Sequence, residues 1–423
     1  MTEGVQLTSV GDERVLLVSG DSHVGPTLEA LRAYCPEGHL EAFDEFAISP
    51  QVEEMRAGAR QGRALYLKTS GHDDPTARLA DMDRDGIAAE VMFHNSFNGE
   101  PMPFNDLGWP ELDSPELACV GFRIYNRWLA DFCSAAPERL IGLAHIPLWD
   151  IDTAIEEVRW VAAHGLRAVN FPSARPQWVQ YNESHWDPFW TAVEEAGMVL
   201  ATHAGAATDP AVRAVNGTPL LLMEAGGAYN RRAIARMILG GVFERFPGLK
   251  LAMTEQPGVW IPSALVELDS AAEAPLPLSN GELSKAPSEY FKTNVFAGAS
   301  FIAPFEVEAA VGDWWWTNIF WGRDYPHPEG TWRYSDDPDE TPMTHLSLRH
   351  AMAGTPHDKV RAIVGENAAR VYGLDVDKLR GTADQIGPTI EEITTPLEAV
   401  PALDGPERQG YGFFAFRTNG PYS

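Results

Sequence analysis

The chain has 423 residues, of which 44% are hydrophobic and 22% charged, the balance of a folded globular protein and not of a disordered one. Its 60 acidic residues against 32 basic ones give a formal net charge of -28. A surface so acidic repels phosphate backbones and anionic lipid, which argues against nucleic-acid and membrane roles and for a small-molecule partner. Cys35, Cys119 and Cys133 are an odd number without CxxC spacing, so neither a disulfide framework nor a Cys-type zinc site is expected, and a cytoplasmic setting fits. No basic segment precedes the short apolar run near the N-terminus, and no apolar stretch reaches the ~20 residues of a membrane helix.

Short β-rich runs alternate with helical segments along the chain. The first run, RVLLVSGDSH (14–23), is followed by a long insertion over 24–73. A helix is predicted over 74–86, where Ala77, Leu79, Ala80 and Met82 gather near one side, and it leads into AAEVMFHN (88–95). A second insertion, 96–122, is rich in Pro, Gly and acidic residues. LIGLAHIP (140–147) precedes a helix over 151–165 that carries Ile155, Val158, Val161 and Ala162 at helical spacing and ends on Gly165 as its C-cap. Five more runs follow: AVNFPSA (168–174), MVLATHAG (198–205), LKLAMTEQ (249–256), NVFAGAS (294–300) and NIFWGRDY (318–325), with helices over 182–197 and 230–248 between them. GENAARVYGL (365–374) reads as a terminal helix, and the tail 376–423, which contains the aromatic run YGFFAFR (411–417), as a C-terminal extension or arm that packs on its own barrel or on a partner subunit.

Eight strands alternating with helices define an α/β fold, a (β/α)8 TIM barrel over 1–375 with insertions after strands one and two. An open doubly wound sheet is disfavoured because no GxGxxG follows the first strand. Both insertions leave the C-terminal ends of strands, the face where barrel active sites are built, so they are candidate lids.

The chemistry is expected at that same face. Asp21 and His23 end strand one, His203 ends strand five and Asp324 ends strand eight. Residues i and i+2 of a strand share a face, so Asp21 and His23 can both look into the bore. Strands one and eight are neighbours in a closed barrel and strand five lies opposite, so the four can meet on one ion. Two imidazoles and two carboxylates suit a divalent Zn²⁺, Mn²⁺ or Fe²⁺, with zinc favoured and an open position for water or substrate.

The stretches GDSHV, DPTARLADMDRDGIAAEVM, RLIGLAHIPLWD, HWDPFWTAVEEAGMVLATHAG, FERFPGLKLAMTEQPGVWIPSALVELD, WGRDYPHPEGTW and VGENAARVYGL resemble the amidohydrolase-related proteins grouped with aminocarboxymuconate-semialdehyde decarboxylase. The resemblance spans about residues 16 to 375. It implies a (β/α)8 barrel with one divalent metal, held from strand one (an acid or His, then x-His), strand five (His) and strand eight (Asp); those positions are Asp21, His23, His203 and Asp324. Two departures stand out. The founding decarboxylase has His-x-His where this chain has Asp21-Ser22-His23, although related aromatic-acid decarboxylases also carry an acid there. Family decarboxylases place a His at the end of strand six, where LKLAMTEQ offers Met253, with Glu255 two residues later on the same expected face.

Other candidate residues follow. Glu255 is a candidate general acid or base, and His327 a catalytic residue or a replacement for the missing His. Resemblance to hydrolytic members implies that Asp324 both binds the metal and takes a proton from bound water. His94 and His145 end strands two and three and are candidate substrate contacts. Arg323 is a candidate anchor for an anionic substrate, although it alternates away from Asp324. The absent strand-six His favours a hydrolase that turns metal-activated water on a small organic, carboxylate or aromatic substrate. The alternatives are non-oxidative decarboxylation of an aromatic or unsaturated acid, and a metal-free binding or structural barrel. The tail aromatics and the resemblance point to a homodimer.

Overall fold

The structure is a computed structural model; it describes residues 13–62, 69–105, 114–173, 178–203, 231–256, 258–273, 283–327, 329–332, 340–401 and 416. Strand β1 (Leu17–Ser19) is continued by the two-residue segment His23–Val24. The strands that follow are β2 (Ile87–His94), β3 (Leu140–His145), β4 (Ala168–Asn170), β5 (Val199–His203), β6 (Lys250–Thr254), β7 (Val295–Ala299) and β8 (Ile319–Trp321). Each pairs in parallel with the next.

The barrel closes between β8 and β1. Gly20 N–H donates to Trp321 O at 2.9 Å, Asp324 N–H donates to Asp21 O at 3.0 Å, and Ser22 bridges Tyr325 in parallel. Gly322 permits this approach: a Cβ there would stand 2.6 Å from the Cβ of Asp21, closer than side chains come.

Alternation along the strands divides the core in two. Leu16, Val18, Ala89, Val91, Phe93, Ile141, Leu143, Ala201, Ala252, Phe296 and Phe320 fill the bore. Leu17, Met92, Ala144, Leu200, Leu251 and Met253 belong to the larger layer between the strands and the helices. The bore is thus a packed core and not a channel, and each large side chain buried there contributes about 2 kcal/mol.

The insertion after β1 is helical: α1 (Leu28–Arg32), α2 (Leu40–Ala47) and α3 (Pro50–Gly62). Helix α4 (Pro75–Asp85) starts where the Asp74 carboxylate accepts from Thr76 N and Ala77 N, and α5 (Pro115–Ser134) where Ser114 accepts from Leu117 N. Helix α6 (Ile151–Ala163) is capped by Asp150, and Gly165, at φ 85°, follows its end as expected.

The described part of the segment after 375 packs on the barrel. In helix Val376–Ile386, Leu379 and Ala383 join the cluster that fills the bore. Val15 N–H donates to Pro388 O at 2.8 Å and Ile390 N–H to Glu13 O at 3.2 Å, so residues 376–394 cover the end of the barrel remote from the expected site. Of the run 411–417, only Phe416 lies within the described residues, and it is buried.

Candidate metal centre

The β1–β8 closure brings the site together. Asp21, His23, His203 and Asp324 each present a donor atom, and these atoms lie within 4.8 Å of one another. His23 Nε2 is 3.1 Å from Asp324 Oδ1 and 3.6 Å from Asp21 Oδ1, and His203 Nε2 is 3.3 Å from Asp21 Oδ1. Asp324 occupies the left-handed region at φ 53°, a conformation that costs about 1 kcal/mol or more outside glycine and is found at functional sites.

Neighbouring groups fix which atoms face the centre. His23 Nδ1 donates to His94 O at 3.2 Å; a carbonyl only accepts, so the ring proton is on Nδ1 and the Nε2 lone pair looks inward. Ser300 Oγ donates to Asp21 Oδ2 at 2.5 Å and leaves Oδ1 for the centre. His203 turns Nδ1 toward Glu255 Oε2, 3.6 Å away.

Among the described residues, Asp21 Oδ1, His23 Nε2 and both Asp324 carboxylate oxygens are buried without a hydrogen-bond partner. Lone pairs crowded at 3.1–3.6 Å in a dry site repel unless a cation or a proton lies between them. The donor set therefore fits a divalent cation. The titration directions agree with this crowding. Burial, then the neighbouring imidazoles, holds His23 well below its usual range, while burial, then Asp21, drives Asp324 well above the carboxylate range. Burial pushes Glu255 up to about 8, against the opposing pull of His203.

His327 sits beside the four donors. Its ring is sandwiched between His23 (centroids 3.8 Å apart) and Phe97 (4.0 Å). Its Nε2 donates to Asn95 O at 2.9 Å, and its Nδ1 is 3.1 Å from Asp324 Oδ1. Asp324, His327 and Glu329 form a second group of close donor atoms that shares Asp324. Phe93 stands edge-on to His203 at 4.7 Å.

Two expectations need correction. Met253 does not face the centre: it belongs to the outer layer, and Glu255 is not on its face. Glu255 has φ 57°, which breaks the strand alternation and turns its carboxylate toward His203. Arg323 is not placed to anchor a substrate. It is fully buried on the outer side of the sheet, where Nη1 donates to Asp85 Oδ2 at 2.5 Å and Nη2 to Glu90 Oε2 at 2.9 Å.

His94 and His145 lie outside the donor group. Their rings and that of Tyr125 meet edge-on at 5.2, 5.9 and 5.3 Å. Burial lowers His94 to about 4 and His145 well below its ordinary value, so both are neutral imidazoles at pH 7. Reasoning from sequence missed Ser300, Phe93, Phe97, Tyr125 and Glu329. Of these, Phe93 carried a readable signal, because it alternates inward with Val91.

A parallel barrel with His and Asp donors at the C-terminal ends of β1, β5 and β8 defines a class of metal-dependent barrel enzymes. The sequence profile of the amidohydrolase family matches residues 67–374, and the chain belongs to that family. It is 26% identical over 244 residues to a gamma-resorcylate decarboxylase of Rhodococcus jostii, covering 55% of this chain and 71% of that protein. Among solved structures, a 5-carboxyvanillate decarboxylase from Sphingomonas paucimobilis superposes with a TM-score of 0.59 at 23% identity, covering 85% of this chain and all of that one. A dihydroxybenzoic acid decarboxylase from Polaromonas, with bound manganese and the inhibitor 2-nitroresorcinol, gives a TM-score of 0.57 at 17% identity, covering 85% and 97%.

Proposed function

We propose that the chain is a manganese-dependent, non-oxidative decarboxylase of an aromatic acid. The observation that carries the reading is the convergence of Asp21, His23, His203 and Asp324, with His327 stacked beside them 3.1 Å from Asp324. The relatives that are decarboxylases, and not hydrolases, outweigh the lean toward hydrolysis drawn from the missing strand-six His. Manganese replaces zinc in the reading for two reasons. A set of two imidazoles and two carboxylates would suit manganese, and a solved relative of the same fold holds manganese.

A divalent cation held by these donors would supply positive charge that stabilises the substrate carboxylate and a neighbouring phenol oxygen. The residues do the rest. Phe93 and Phe97 offer apolar faces to an aromatic ring beside the donors. Glu255 orients His203 through its Nδ1. The Asp324–His327 pair holds the proton that is delivered to the ring carbon bearing the carboxylate. The bond from that carbon to the carboxylate breaks, its electron pair returns to the ring, carbon dioxide leaves, and the pair recovers a proton from water. His94 and His145 pack with Tyr125 outside the donor group and are given no part in the reaction.

The test is to incubate the manganese-loaded chain with gamma-resorcylate, 5-carboxyvanillate and simpler ortho-hydroxybenzoates, and in parallel with aryl esters, anilides and lactones. Metal-dependent carbon dioxide release from an aromatic acid is expected. Metal-dependent hydrolysis with no carbon dioxide release from any acid would overturn the reading.

A further inference from the structure

The outer face of the β8–β1–β2 seam carries a group of buried charges that touches the backbone of the metal ligands. Arg78 on α4 ion-pairs with Glu90 on β2, and the same carboxylate takes Arg323 Nη2 at 2.9 Å and Nε at 3.2 Å. Arg78, Glu90, Asp85 and Arg323 are all inaccessible to solvent, so two cations face two carboxylates in a dry seam. Both guanidinium groups lie over the Tyr325 ring, at 4.2 and 4.6 Å, and the Tyr325 hydroxyl donates to Asp81 Oδ2 at 2.7 Å.

This group reaches the donors from behind. Arg78 Nη1 donates to His23 O at 2.7 Å, and Nη2 donates to Ser22 Oγ at 2.8 Å. Arg323 immediately precedes Asp324, and its N–H donates to Ser19 Oγ at 3.0 Å while that hydroxyl donates to Asp21 O at 2.6 Å. Behind the backbone bonds that close the barrel, Glu90 thus adds a side-chain tie between Arg78, which holds the backbone of His23, and Arg323, which precedes Asp324. No member of the group faces the bore, so none can touch a substrate there.

We propose that Glu90, with Arg78 and Arg323, is a positioning clamp for the metal centre: it holds the strand-one and strand-eight donors at the spacing a cation requires, and so sets cation affinity. The proposal rests on the metal-centre reading and not on the identity of the substrate. Groups that orient metal ligands from behind typically change metal affinity by about 10- to 100-fold when lost.

The test uses Glu90→Gln, which keeps the side-chain shape and removes the charge. Its comparator is Glu157→Gln, at a buried carboxylate that binds Arg127 and Asn126 on α5, apart from the donors. Mn²⁺ affinity is read by competition with a chelator, and Co²⁺ substitution reads the donor geometry through its visible spectrum. Glu90→Gln is expected to weaken Mn²⁺ binding about 10- to 100-fold and to alter the Co²⁺ spectrum, while Glu157→Gln lowers the melting temperature and leaves both unchanged. Equal cation affinity and spectrum in Glu90→Gln and the unsubstituted chain overturn the clamp. If Glu90→Gln does not fold, Arg78→Lys carries the test, because it keeps the charge and loses the two-pronged grip on His23 O and Ser22 Oγ, with several-fold weaker Mn²⁺ binding expected and unchanged binding overturning the clamp. If the unsubstituted chain binds no divalent cation, the metal-centre reading falls and the clamp falls with it.

Discussion

The crowded donors make a sign prediction for Asp324→Asn. Without a cation, an ionised Asp324 Oδ1 stands 3.1 Å from the His23 Nε2 lone pair, an acceptor facing an acceptor unless the carboxyl takes up a proton. An asparagine amide puts an N–H donor at that contact and tolerates the left-handed backbone that residue 324 adopts at φ 53°. A net hydrogen bond is worth about 1 kcal/mol. Unfolding entropy of about 2.1 cal/mol/K per residue, over 423 residues, gives roughly 1 °C of melting temperature per kcal/mol. The cation-free variant should therefore melt at or slightly above the cation-free parent, by roughly 1 °C. A cation at 100 times its dissociation constant adds about 2.7 kcal/mol, so the parent should gain roughly 3 °C on loading, and the variant little. The two curves should cross: variant higher when chelated, parent higher when loaded. Calorimetry of both proteins with excess chelator and with Mn²⁺ reads all four values. If the variant melts well below the parent without a cation, Asp324 is held by favourable contacts, and the account of crowded lone pairs is wrong.

Three further outcomes are expected. His327→Phe keeps the stack between His23 and Phe97 but cannot carry a proton; kcat should fall by about 10²- to 10⁴-fold with manganese content unchanged, and loss of metal instead would make His327 a ligand. Glu255→Gln should weaken Mn²⁺ binding about 10-fold through His203, measured by chelator competition, whereas an activity loss at full metal occupancy would make Glu255 the proton carrier. The third concerns pH. Burial lowers His345, whose Nε2 donates to Asp85 O at 3.1 Å. Between its folded value and its ordinary 6.5 the unfolded chain binds more protons, so stability drains as pH falls below 6.5. His345→Gln should flatten that acid limb in denaturant titrations, and an unchanged slope would refute the assignment.

The barrel and its four donors were legible because each donor ends an apolar run, and parallel strands in a closed barrel all point their C-terminal ends one way. Other features depended on interactions that no local pattern carries. Met253 and Glu255 were expected on one face, but a left-handed residue 255 breaks the period of two. Arg323 sits next to Asp324 in sequence, yet it points to the opposite side of the sheet, where Asp85 and Glu90 wait more than 200 residues away in sequence. The orientation of His327 depends on the carbonyl of Asn95 and the ring of Phe97, both supplied by the loop after β2. The helices of the first insertion and the covering role of 376–394 are set by what they pack against, not by a motif of their own.

The two faces of one seam divide the work. Inside, β1 and β8 expose lone pairs that repel one another, which is what a cation site needs and what a stable barrel does not. Outside, Arg78 grips the backbone of His23, and Glu90 joins it to Arg323, in a buried group whose guanidinium donors meet carboxylates and carbonyls. A buried ion-pair group of this kind is weak evidence for added stability, because desolvation offsets most of its attraction. What it does supply is geometry: planar guanidinium forks fix direction as well as distance. Repulsion on the inside would push the strands apart or force a proton onto Asp324, and under the clamp proposal a rigid outer face would hold the inner one for a cation. The unusual local chemistry of this chain, a dry network of four charges one strand-thickness from a cluster of bare donors, makes sense as a single device.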